Sequence, residues 1–281
     1  MPLHQDDLSA FIKRALEEDV GRGDITTEAC VPPDRTGAGH IRAHASGILS
    51  GLEVARQVFL TWDPGLIVGL EKADGERVQA GDEVLTVSGR LASIMTAERV
   101  ALNFLCHLSG VATLTARYVE AVEGKIRILD TRKTLPGFRR LQKQAVVHGG
   151  GTNHRERLDS AILIKDNHLA AAGGIDAAVR RTREAKPGER LILEVSNLEE
   201  ANQAAALEVE HLLLDNMSPD EIREIVALLS RKSPRPFLEI SGGVTLETIR
   251  PYAETGADAV SVGALTHSAS VLDLGLDVDQ L

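Results

Sequence analysis

Apolar runs of three to five residues recur through the second half of the chain, each with a chemically capable residue at or beside its end. Ile126–Leu129, Ala161–Ile164, Leu191–Val195, Leu212–Leu214, Phe237–Ile240 and Ala259–Val262 read as strands. The last five begin at 161, 191, 212, 237 and 259, spacings of 30, 21, 25 and 22 residues. Helical stretches at Ile175–Ala185, Leu198–Leu207, Pro219–Leu229 and Leu246–Tyr252 fill the gaps. Strands alternating with helices at that spacing make parallel βα units, which narrows this region to an α/β barrel or a doubly wound sheet. Asp130, Lys165, Glu194, Asp215, Ser241 and Gly263 mark the strand ends. A barrel gathers such positions at one mouth, whereas an open sheet spreads them along an edge. The barrel fits better.

The first half has a different texture. Leu8, Phe11, Ile12, Ala15 and Leu16 form the apolar stripe of a helix that Asp6 or Asp7 can cap and Gly21 can end. Short apolar runs broken by glycine fill residues 37–89 and predict a β-rich region, followed by a long helix over Ala92–Ala121. Apolar residues make up 43% of the chain, enough for a substantial core. Cys30 and Cys106 are too few for a disulfide framework and point to the reducing cytoplasm. The opening residues are acidic and amphipathic, unlike a secretion signal, and no stretch has the apolar length of a membrane span.

The net charge of 31 − 41 = −10 argues against nucleic acid and anionic membrane as partners. It also hides an asymmetry. Residues 125–165 hold ten Lys and Arg against Asp130, Glu156 and Asp159, a local +7, so the remainder carries −17. Any basic run can be a solvated face. Here the run starts at a strand end in ILDTRKT, continues through VVHGGGTNHR and closes on Lys165, so these charges are expected to face a barrel mouth and a polyanion. Glu194 and Asp215 either pair with those cations or help hold a hard cation such as Mg²⁺, which takes one or two carboxylates plus substrate phosphate oxygens. Ser241-Gly242-Gly243 and Ser261-Val262-Gly263-Ala264 close the last two strands and suit a phosphate seat. The Gly149–Gly151 triplet is neither a P-loop nor a dinucleotide fingerprint.

Eight strings stand in unbroken order between about residues 15 and 270: ALEEDVGRGDITT, AERVALNFLCHLSG, LDTRKTLPGFR, GGGTNHR, LIKDNH, LLDNM, LEISGGV and SVGALTHS. Together they resemble the quinolinate phosphoribosyltransferase family (nicotinate-nucleotide diphosphorylase, carboxylating). The resemblance implies an N-terminal α/β sandwich plus an incomplete, seven-stranded α/β barrel, the type II phosphoribosyltransferase fold. It divides the chain into a sandwich over 1–112, a catalytic barrel over 113–265, and a tail of about 266–281 packed back on the sandwich. The reaction implied joins quinolinate to phosphoribosyl pyrophosphate, with Mg²⁺, giving nicotinate mononucleotide, CO₂ and pyrophosphate for de novo NAD biosynthesis.

By position, the resemblance assigns Arg132, His154, Arg155 and Lys165 to the two carboxylates of quinolinate, with Lys133 on quinolinate or phosphate. Glu194 and Asp215 would hold Mg²⁺ and the ribose hydroxyls, and Ser241, Gly242 and Gly263 the 5′-phosphate. Lys133, Lys165, Glu194 and Asp215 form the implied catalytic set. Arg99 would reach the site of a partner subunit, making a homodimer the working unit and leaving assembly into hexamers open. Two positions depart from the family pattern: Cys106-His107 where Gln-Arg is common, and Ser196 where an acid is frequent. His148, His168 and His267 read as structural hydrogen-bonders. Rival readings are a same-scaffold transferase with another heterocyclic acceptor and a non-catalytic anion-binding relative. A lipoyl-type carrier hairpin fits poorly, because Lys72 precedes the Gly81-Asp82 turn.

Overall fold

A computed structural model describes residues 5–279, with side chains from residue 8 onward. The first elements are helices α1 (Gln5–Val20) and α2 (Ile25–Cys30), strands β1 (Thr36–Ala43) and β2 (Gly47–Ile48), and helix α3 (Leu52–Trp62). Strands β3 (Ile67–Leu70), β4 (Arg77–Val78) and β5 (Glu83–Arg90) lead into the long helix α4 (Leu91–Ala121). Then come β6 (Arg127–Leu129), α5 (Arg139–His148), β7 (Ile162–Ile164), α6 (Asp166–Ala172), α7 (Ile175–Ala185) and β8 (Leu191–Val195). The rest is α8 (Leu198–Ala206), β9 (His211–Asp215), α9 (Pro219–Leu229), β10 (Phe237–Ser241), α10 (Ile249–Ala253), β11 (Ala259–Ser261), α11 (Ala264–His267) and β12 (Leu274–Val278).

The chain divides into two compact units. One comprises residues 1–116, 140–150 and 269–281; the other comprises 117–139 and 151–268. The first is built on an antiparallel sheet of order β12-β1-β5-β3. In α1 the stripe read from the sequence is the one that packs: Ile12 is fully buried, and Leu8 and Leu16 nearly so. Strand β12 pairs with β1 from Gly39–Val278 to Ala43–Leu274. The approach to β12 requires a residue without a side chain on α4: a Cβ on Gly110 would lie 2.1 Å from the Ser270 carbonyl oxygen.

The second unit holds six parallel strands in the order β6-β11-β10-β9-β8-β7. All five residues of β8 are buried, as are the first four of β9, as expected for parallel strands covered on both faces. A seventh chain segment lies beside β6, through a single bridge from Leu129 to Thr152. Thr152 donates to Ile128 O (2.8 Å) and accepts from Asp130 N (3.2 Å). The backbone then turns toward Asp130, whose Oδ1 accepts from His154 N at 2.8 Å. That carboxylate takes over from the ladder, which is why the seventh member is a bridge rather than a strand. Helix α10 begins three residues later than the apolar pattern suggests, because Thr245 and Thr248 first close a turn through Thr245 N to Thr248 Oγ1 (3.0 Å). Among the described residues no helix is long and apolar enough to cross a membrane.

Candidate active site

Along the second sheet, the strand ends present their chemistry in spatial order. Lys165 follows β7, Glu194 and Asp215 lie at the ends of β8 and β9, Ser241 ends β10 and Ser261 ends β11, and Arg132 and Lys133 follow β6. They line a cavity of about 660 Å³ together with His154, Arg155, Gly242, Asp130, Asp166, Asn216, Glu239 and others, all from the second unit. Glu194 and Asp215 therefore stand side by side on β8 and β9, with the hydroxyl and glycine positions on β10 and cations toward both ends of the sheet.

The basic segment behaves differently from the sequence expectation. Only Arg132, Lys133, Arg155 and Lys165 of its ten cations line the cavity. Lys125 lies 3.4 Å from Glu254, the Arg127 guanidinium stacks 4.9 Å over Phe237, and exposed Arg157 sits 3.5 Å from Asp159. Arg139 braces a loop by donating to Thr134 Oγ1 (3.1 Å) and Glu156 O (3.2 Å). Arg140 and Lys143 ride on α5, in the first unit. The reason is that this segment contains a helix the charge count did not reveal. The cavity also carries five carboxylates against its four cations, so it is a partitioned surface rather than a plain cationic mouth.

Two of the cations are poised for an anion. Arg155 is pushed below the usual guanidinium range, first by burial and then by the charge of neighbouring Arg132. Arg132 Nε is buried without a hydrogen-bond partner. Arg155 Nη1 donates to Ala161 O at 2.9 Å, which anchors the guanidinium at the entry to β7. The amine of Lys165 donates to Glu194 Oε2, and Asn216 Nδ2 donates to Asp215 Oδ2 at 2.7 Å. Glu194 and Asp215 each keep a second oxygen. No group of three or more His, Cys, Asp or Glu that could hold a metal is found among the described residues. Two carboxylates alone suit Mg²⁺ when substrate oxygens complete its shell.

The β10 loop is built for close approach. Gly242 has φ +98°, and a Cβ there would fall 2.2 Å from Asn216 Oδ1 and 2.8 Å from Asn216 N. Gly263 precedes α11, where Thr266 Oγ1 donates to Lys133 O at 2.7 Å and ties the β11 and β6 loops together. Arg99 lies on α4 in the first unit with its side chain 61% exposed. Of the two departures, His107 accepts from Gln142 Nε2 (3.0 Å) within the first unit, and burial holds its basicity down. Ser196 N donates to Glu200 Oε2 (2.8 Å) at the start of α8.

Glu239, which lines the cavity, and His211, which lies 2.8 Å from it, are not legible in the sequence. Both sit inside apolar strands, and only an acid in LEIS and a histidine in HLLLD hint at them. Glu239 is fully buried. Burial is the largest influence on it and opposes ionisation, but the polar groups of His154, His211 and Ser261 that face its oxygens outweigh burial and bring its pKa down to about 2.

Comparison with known proteins places this geometry. Residues 24–109 match the model for the quinolinate phosphoribosyl transferase N-terminal domain, and residues 111–277 that for the C-terminal domain. A nicotinate-nucleotide pyrophosphorylase [carboxylating] of Mycobacterium leprae is 45% identical over 271 residues, covering 95% of each chain. The structure is similar to NadC from Streptococcus pyogenes (TM-score 0.93, 39% identity, all of both chains). It is also similar to the nicotinate-nucleotide pyrophosphorylase from Francisella tularensis (TM-score 0.94, 36% identity, 99% of this chain and 98% of that one). With both domain models matched in order along one chain, this protein belongs to the quinolinate phosphoribosyltransferase family.

Proposed function

We propose that the chain transfers the phosphoribosyl group of phosphoribosyl pyrophosphate to quinolinate, releasing CO₂ and pyrophosphate and forming nicotinate mononucleotide for NAD synthesis. The observation that carries this is the Arg132–Arg155 pair: two guanidiniums near enough to repel, one with a buried unmatched nitrogen. Such a pair is completed by a ligand with adjacent carboxylates, and guanidinium geometry accepts carboxylates two bonds at a time. Lys165 adds a point charge from the β7 side, and Lys133 stands by the phosphate loops.

Glu194 and Asp215 would hold Mg²⁺ with the substrate. Bound there, Mg²⁺ would neutralise the pyrophosphate as it departs. Ser241, Gly242 and Gly263 offer hydroxyl and backbone N–H groups to the 5′-phosphate. The C1′–oxygen bond breaks as the pyridine nitrogen forms its bond to C1′ of an oxocarbenium-like ribose. The positive charge of the quaternised nitrogen then stabilises the electron pair left on C2 when the adjacent carboxylate leaves as CO₂, and a solvent proton taken up at C2 ends the step. No side-chain nucleophile is needed; positioning and fixed charge carry the chemistry.

The working unit is a homodimer in the cytoplasm, with Arg99 of each subunit completing its neighbour's site. The purified chain with phosphoribosyl pyrophosphate and Mg²⁺ should turn over quinolinate but not nicotinate, and a chelator should stop it. Turnover of nicotinate in place of quinolinate would assign the site to a different acceptor, and turnover of neither to an anion-binding relative.

A further inference from the structure

Glu239, which lines the cavity, belongs to a chain of polar groups running from exposed Arg190 through buried His211, and partners settle the donor directions along it. Arg190 Nη2 lies 2.8 Å from His211 Nδ1. A guanidinium only donates, so His211 Nδ1 accepts and its proton resides on Nε2. That Nε2 donates to Glu239 Oε2 at 2.8 Å. On the other side, Arg155 N donates to His154 Nδ1 at 2.7 Å, which puts the His154 proton on Nε2 as well. His154 Nε2 is buried and lies 3.2 Å from the same Glu239 oxygen, farther from it than His211 Nε2. Ser261 Oγ donates to the other oxygen, Oε1.

We propose that Glu239 is a positioning residue for the acceptor site: its carboxylate holds His154 turned inward, so that His154 supports the Arg155 backbone rather than offering a nitrogen to the substrate. Neither ring nitrogen of His154 is presented to the cavity. Nδ1 receives the Arg155 N–H, and Nε2 is buried against Glu239. What the ring controls is the main chain of Arg155, whose guanidinium is pinned on one side to Ala161 O and keeps its remaining N–H groups for a carboxylate. A buried carboxylate is costly unless donors converge on it. Here the donors come from two histidines and from Ser261, which also lines the cavity. One anion thereby ties the dicarboxylate side of the site to the β11 side. This inference rests on the quinolinate reading for its kinetic consequence, not for its geometry.

Two measurements test it. Imidazole ¹⁵N NMR of the full-length wild-type protein, with resonances assigned through His154→Asn and His211→Asn, should show both rings as neutral Nε2–H tautomers. Adding quinolinate should leave the His154 tautomer unchanged. An Nδ1–H or doubly protonated His154, or one that changes state with quinolinate, would overturn the proposal. In parallel, Glu239→Gln, which keeps shape and removes charge, should raise KM for quinolinate roughly tenfold or more while kcat and KM for phosphoribosyl pyrophosphate move far less. A folded Glu239→Gln protein with unchanged KM for quinolinate would also overturn it. Absence of quinolinate turnover in the wild type would instead defeat the functional reading and leave the tautomer result standing.

Discussion

Glu239 shows how a single buried charge couples stability to pH. Its carboxyl has a pKa of about 2 in the folded chain against an ordinary 4.5. The lowered value means that the ionised form is favoured by folding. Its contribution is complete above about pH 4.5 and is lost as pH falls toward about 2. The gap corresponds to about 3 kcal/mol at neutral pH. Glu239→Gln should therefore destabilise the protein by up to that amount near pH 7, and by progressively less in acid. Urea midpoints of both proteins across an acidic series measure this, and a difference that stays constant into acid would contradict it. The same residue marks a limit of sequence reading. Arg132, Lys133, Arg155, Lys165, Glu194, Asp215, Ser241 and Gly242 stand at or near strand ends or in motifs, where chemistry is legible, and they share one cavity. Glu239 lies in the middle of an apolar strand, where nothing local separates a site residue from a stray buried acid.

At the scale of elements, periodicity was a good guide where packing and local propensity agree. Helices Ile175–Ala185 and Pro219–Leu229 form over the ranges their patterns suggest. Helix α9 has the strongest local signals: Pro at its first position and a capping box in which Ser218 Oγ accepts from Glu221 N while Ser218 N donates to Glu221 Oε2. Ser218→Ala should cost about 1 kcal/mol of stability and leave turnover intact, as chemical denaturation and an initial-rate assay will show. Helix α5 was hidden for the opposite reason. Its charged residues, Arg139, Arg140 and Lys143, belong to a basic run, while Leu141, Ala145 and Val146 form the apolar stripe that packs it. The density of charge masks the helical period. The seventh barrel segment was equally illegible, because a single bridge at Thr152 leaves no run of alternating or continuous apolar residues to detect.

For the whole molecule, the residues assigned to the reaction are distributed between the two units, and the proposed dimer concerns the one that stands apart. The acceptor and phosphate residues belong to the second unit, whereas Arg99 belongs to the first and is largely exposed. If Arg99 acts in a neighbour's site, Arg99→Ala and Lys133→Ala proteins should each be nearly inactive alone. Mixed after subunit exchange, they should regain about a quarter of wild-type activity at most, since one intact site forms per heterodimer and about half the dimers are mixed. No recovery in demonstrably mixed dimers would remove Arg99 from the shared-site role.

In the proposed reaction one cavity joins a pyridine dicarboxylate to phosphoribosyl pyrophosphate and removes the carboxylate beside the ring nitrogen. Quinolinate labelled with ¹³C at that carboxylate tests it directly, by following labelled CO₂ and pyrophosphate in the same reaction. Equal amounts of the two, with an unlabelled mononucleotide product, are expected. Pyrophosphate released without labelled CO₂, or label retained in the nucleotide, would rule that reaction out.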